Sequence, residues 1–314
     1  MGGAAQVVTH RRAAAGGVFV TVAACVMAWA LAYPASPLGG SLIRAIADAA
    51  AVVTLGLAVV PVLDAARHRA ELIRRTGAPL VTASAVWLVA ELTRLVLAAA
   101  EATGTPATRL GLGTAWQYAA QTVAGRAGLL TIAAAAVVCG VAAWAPSTGS
   151  AGAVAAGVAG IGVVGHPLTG HLSDSSLGGV AIAAHALAAA LWCGVLAGLV
   201  LTVDHRGQWA RVLPRFSQLS LMCVVVLLAG GVIGAVVLLD SPAELYTTGY
   251  GRVLSAKVAL TGVLTLLAWR NREIWLPAAR AHRSTAVVSR ARAYTELALM
   301  AAALAAAATL SVTG

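Results

Sequence analysis

Residues 178–202 read GGVAIAAHALAAALWCGVLAGLVLT, a stretch without one charged side chain. A helix crossing the hydrocarbon of a bilayer needs about 20 such residues. The apolar side chains here surround the helix rather than forming one stripe, which excludes the amphipathic surface helix of a soluble domain. The chain repeats this pattern from end to end. Long apolar runs are predicted as helices near 14–33, 42–64, 79–101, 123–144, 150–166, 178–202, 216–238, 252–270 and 292–312. The fold expected is an all-α polytopic membrane helix bundle of about nine transmembrane helices, a single membrane domain over 1–314.

Composition agrees. Of 314 residues, 60% are hydrophobic and only 10% charged, against about 25% charged in soluble domains. Mean hydropathy is +0.88. The net charge of +10 does not signify a nucleic-acid partner, because the arginines sit in short loops between apolar runs rather than on one face. Cys25, Cys139, Cys193 and Cys223 all lie inside apolar runs without a CxxC spacing, so no disulfide framework is expected.

Basic residues in alternate loops set the orientation. One set holds Arg11, Arg12, Arg67, Arg69, Arg74, Arg75, Arg206, Arg211, Arg215, Arg270, Arg272, Arg280, Arg283, Arg290 and Arg292. The other holds Arg109, Arg126, Arg252 and Lys257. Fifteen against four places the N-terminus in the cytoplasm and the C-terminus outside. The run at 14–33 follows Arg11 and Arg12 as a signal peptide would, but exceeds a typical signal core and reads as a retained anchor. Segment 102–122, with Trp116 and Tyr118, is expected as a short interfacial helix outside. Segment 271–291, with four arginines and Trp275, is expected along anionic headgroups inside.

The residues able to carry chemistry gather near one end. The outer loop GHPLTGHLSDSSLGG contains His166 and His171, and His185 follows inside the sixth span with Trp192 on the same face. Imidazole suits copper, zinc, iron and nickel. A polar ring at hydrocarbon depth is a functional candidate by default, whereas loop histidines are also ordinary polar residues. Deeper lie Cys193, Met222 and Cys223, soft ligands suited to Cu(I) and equally at home as packing residues.

Intramembrane charges come with neighbours at helical spacing: Arg44 with Asp48, Glu91 with Arg94, and Arg292 with Glu296. Local pairing accounts for them. Glu91 and Arg94 lie deepest, where a proton-carrying polar cavity is the alternative.

From about 178 to 312 the chain resembles the CopD copper-resistance membrane proteins, including the copper-import proteins of Gram-positive bacteria. The resemblance rests on His185 through Trp192-Cys193-Gly194, Arg215-Phe216-Ser217, Thr248-Gly249-Tyr250-Gly251-Arg252 with Lys257, Asn271-Arg272 with Pro277, and Glu296. The family's double glycine after the Trp is Gly194-Val195 here, and Cys193 takes a usually apolar position. The resemblance implies copper handling, as Cu(I) or Cu(II), at the cytoplasmic membrane. It implies His185 as a copper ligand, and Trp192, Tyr250, Lys257 and Glu296 as motif members without assigned chemistry. It also implies an extracytoplasmic copper-binding protein as partner, or a separate membrane protein resembling oxidase assembly factors.

The sequence therefore predicts a non-enzymatic copper transporter that captures metal at His166, His171 and His185. It carries no nucleotide-binding GxxxxGK[ST] string. Two alternatives stand beside this reading. One is a haem protein using His185 with a loop histidine as its axial pair. The other is a scaffold handing copper to a respiratory oxidase.

Overall fold

The computed structural model describes residues 38–145, 148–169, 176–238, 248–281 and 283–313. Among them the fold is all-α. Ten helices are labelled here: α1 Leu38–Val59, α2 Ala66–Thr103, α3 Leu112–Gln121, α4 Val123–Trp144, α5 Gly149–Gly165, α6 Ser176–Thr202, α7 Arg206–Leu238, α8 Gly249–Arg270, α9 Leu276–Arg280 and α10 Ala286–Thr313. Seven helices among the described residues are long and apolar enough to cross a membrane. The first expected span, 14–33, lies outside the described residues.

Several boundaries differ from expectation. The segments 66–78 and 206–215, expected as inner loops, are helical, which makes α2 38 residues long and α7 33. Each extension runs into its span through a proline, Pro79 in α2 and Pro214 in α7. The segment 271–291, expected along the headgroups, is largely helical and continues directly from the eighth span. It passes through a π-helical turn, Asn271–Trp275, straight into α9. α3 forms within the segment expected to be interfacial, and its Trp116 is exposed.

The bundle is organised around α1, which packs against α2, α5, α6 and α10. Two-thirds of its span is buried, more than in any other. The reason is the α1–α6 crossing. A Cβ on Gly56 would overlap the backbone of Gly194, one on Gly194 would overlap the Val52 carbonyl, and one on Gly198 would press on Val60. Gly194 and Gly198 form a GxxxG pair, and such small-residue stripes let helix backbones touch in a bilayer, where the hydrophobic effect supplies no drive between helices. A second close approach seats Gly162 of α5 under the indole of Trp87.

At the inner end, charges fasten the helices together. Asp64 is buried and receives two bonds from Arg211, Nε to Oδ1 at 3.0 Å and Nη2 to Oδ2 at 3.1 Å. Arg215 donates to the Leu63 carbonyl at 3.1 Å. Asp204, between α6 and α7, accepts from Arg75 of α2 at 2.7 Å and from Arg290 of α10 at 3.0 Å. Trp209 and Trp275 meet with ring centroids 5.6 Å apart, and the Trp275 indole donates to Ser289 Oγ at 3.1 Å. Arginines counted above only for orientation thus also set the spacing of four helices.

Candidate functional site

The buried polar residues fall into two groups. The first lies toward the outer ends of α1, α2, α4 and α5. Glu91 of α2 is 3% exposed, and its Oε2 lies 3.0 Å from Nε2 of His166 at the end of α5. The same nitrogen is 3.3 Å from Thr131 Oγ1 of α4. Arg94 approaches the other carboxylate oxygen at 3.6 Å. Arg44 and Asp48 of α1 are near enough for their charges to act on this group. With Glu91 ionised, His166 must carry its hydrogen on Nε2, which leaves the Nδ1 lone pair uncommitted. A carboxylate holding one imidazole nitrogen so that the other is aimed is the arrangement behind metal-ligating histidines. It serves equally well to satisfy a buried carboxylate.

The second group runs down the contact between α6, α7, α8 and α10. His185 of α6 faces α7 at Gly230, where a Cβ would come within 3.1 Å of its Cβ and 3.3 Å of its Nδ1. The ring fits because that position has no side chain. Its Nδ1 is buried and forms no well-aligned hydrogen bond among the described residues, although the Leu227 backbone of α7 lies close to the ring. The charge of Lys257 on α8 reaches this imidazole. Further in, Cys193 of α6 and Cys223 of α7 are buried as free thiols in one apolar cluster with Trp192.

Below them sits Glu296 of α10, 2% exposed. Asn271 Nδ2 donates to its Oε2 at 2.8 Å, and the Trp192 indole N–H points toward the carboxylate without forming a well-aligned bond. The expected Arg292–Glu296 pair is not among the ion pairs of the described residues; the π turn brings Asn271 to the carboxylate instead. That turn also borders a cavity of about 20 Å³ between Ser217, Ser220, Asn271, Arg272 and Glu296, room for about one water. Arg272 closes it inward by donating to Ser217 Oγ at 3.2 Å.

The structure does not gather the expected residues at one point. His166 is committed to α2 and α4, His185 to the α6–α7 contact, and His171 lies outside the described residues. No group of three or more His, Cys, Asp or Glu able to hold a metal occurs among the described residues. Met222 points outward from α7, 68% exposed, away from Cys193 and Cys223. The backbone of Tyr250 opens α8, and its side chain lies outside the described atoms. The Glu91–His166 contact escaped the sequence reading. Its only trace there was a carboxylate at hydrocarbon depth and a histidine at a span's outer end.

Two family profiles match the chain. Residues 31–180 match the copper resistance protein D-like N-terminal domain, and residues 210–310 match copper resistance protein D. The chain belongs to the copper resistance protein D family. It is a copper-resistance membrane protein, and the family extends over the first half, for which the sequence reading had offered only compatible topology. The α1–α6 crossing joins Gly56, in the first matched segment, to Gly194 and Gly198, which lie between the two matches. No curated protein and no solved structure matches the chain.

Proposed function

We propose that this protein carries copper across the cytoplasmic membrane along the α6–α7–α8–α10 contact. Copper enters from outside at His185, passes the thiols of Cys193 and Cys223, and leaves beside Glu296 through the small cavity closed by Arg272. The observation that carries this reading is the buried Nδ1 of His185, which makes no well-aligned hydrogen bond. A polar atom poorly matched inside a protein is unfavourable by about 1–3 kcal/mol, and in the tautomer that leaves its lone pair free a copper ion would use it. Imidazole near the outside and thiol deeper in also follows the order of increasing softness that inward passage of Cu(I) needs. His166, oriented by Glu91, belongs to the outer approach.

In this reading passage is driven by the copper gradient, by the membrane potential or by coupled protons, with Glu91 the candidate carrier. An extracytoplasmic copper-binding protein fits as donor. Expression in a copper-limited host tests the reading: accumulation should rise with wild type and fall to the empty-vector level with His185→Ala. Equal copper in wild-type and empty-vector cells would overturn it.

A further inference from the structure

Arg270 at the end of α8 and Arg292 in α10 line one groove of about 120 Å³ with Leu267, Asn271, Ile274 and Thr295. Neither arginine has an ion pair among the described residues, although the sequence spacing had offered Glu296 to Arg292. Glu273, in the π turn that follows α8, is exposed and does not line the groove. Two unmatched guanidiniums therefore face a space walled on one side by apolar residues. The groove lies where the C-terminal end of α8 meets the N-terminal half of α10, in the stretch that the count of loop arginines assigns to the cytoplasmic headgroups. Trp269 beside it is 64% exposed and Ile274 51%, as suits an aromatic and an aliphatic side chain at that depth.

We propose that this groove binds the headgroup of an anionic phospholipid, its phosphate bridged by Arg270 and Arg292 and its acyl chain lying on Leu267 and Ile274. Guanidinium forks match phosphate oxygens two at a time. A free inorganic phosphate would satisfy the arginines but would leave the apolar wall in contact with water, so the lipid is the occupant the groove favours. The site lies beside the copper route and shares Asn271 with it, which lines the groove and donates to Glu296.

The test uses the full-length protein, purified and delipidated, then offered phosphatidylglycerol or phosphatidylcholine of the same chain length. Retained lipid is read by native mass spectrometry. At about 1 kcal/mol for each basic residue near an anionic surface, wild type should retain phosphatidylglycerol at least roughly tenfold better. R270Q/R292Q should lose that preference, while R280Q, outside the groove, should keep it. Equal retention of both lipids by wild type would overturn the proposal. So would an equal loss in R280Q, or displacement of phosphatidylglycerol by equimolar inorganic phosphate. If the double variant does not purify, the wild-type comparison and the phosphate competition decide alone.

Discussion

His166 Nε2 and Glu91 Oε2 lie 3.0 Å apart although the residues are 75 positions apart in the chain. This contact ties the end of α5 to the middle of α2 and settles how a carboxylate is tolerated inside the bundle. Glu91 takes the imidazole, with Arg94 at 3.6 Å and the charges of α1 close by. Glu91→Ala leaves Arg94 without its nearest counter-charge and His166 without its orienting partner. Loss of one member of such a buried set is destabilising by about 3–5 kcal/mol. Thermal unfolding in detergent should show a clear drop in midpoint, and an unchanged midpoint would mean the group is not holding the helices.

Gly230 offers a way to disturb His185 without deleting it. In Gly230→Ala the new methyl meets the His185 Cβ at 3.1 Å and Nδ1 at 3.3 Å, so the ring must tilt. Copper accumulation should fall severalfold while the protein still purifies as a folded species. Lys257→Met, which removes a cation whose field reaches the same ring, should act in the opposite direction and tighten copper binding, measured by metal retention after dialysis.

The α1–α6 crossing predicts a steep size dependence. Gly194→Ala forces a methyl into the Val52 carbonyl, and backbone cannot yield as a side chain can. Overpacking of this kind typically costs about 1–3 kcal/mol. Ala substitution at Gly207, where nothing lies within 4 Å, should be harmless by comparison. Parallel unfolding curves of the two variants check this, and equal curves would remove the crossing from the account.

Asp64 predicts a pH dependence at the inner face. Burial alone would push its carboxyl up, but the Arg211 hydrogen bonds, the Ala65 N–H and the Arg211 charge outweigh burial and hold it below the usual carboxylate range. A carboxyl lowered in the folded state contributes stability above its unfolded pKa, and that contribution is lost as pH falls through the lowered value. Wild type should therefore lose stability on acidification below the ordinary carboxylate range. Asp64→Asn, less stable at neutral pH, should lose less over the same interval; parallel acid limbs would contradict this.

Much of the fold could be read before the structure, because hydrocarbon thickness and the exclusion of unpaired backbone groups leave a chain this apolar few options. The short helix around Trp116 and the polar character of His185 also followed from depth and residue type. Extent was less legible. Nothing in an arginine-rich segment such as 66–78 says whether it continues a helix past the headgroups, and the π turn at Asn271 has no composition of its own. Pairings were least legible. Spacing of three or four suggested Arg292 for Glu296, yet the carboxylate turned to a side chain on another helix. Met222 and Cys223 are neighbours in the chain, but the helix turns them to opposite sides, one toward lipid and one into the bundle. His166 and His185 looked close in sequence because a short loop separates them; the helices they end or enter lean on different partners.

During synthesis α1 enters the membrane long before α6 exists. Until then the bare backbone along Gly56 can be covered only by acyl chains, which must be squeezed out when Gly194 and Gly198 arrive. The earliest described helix is thus completed by one made much later. A chain halted before α6 would display an open seam to the quality-control proteases of the membrane, and only the finished polypeptide can hide it.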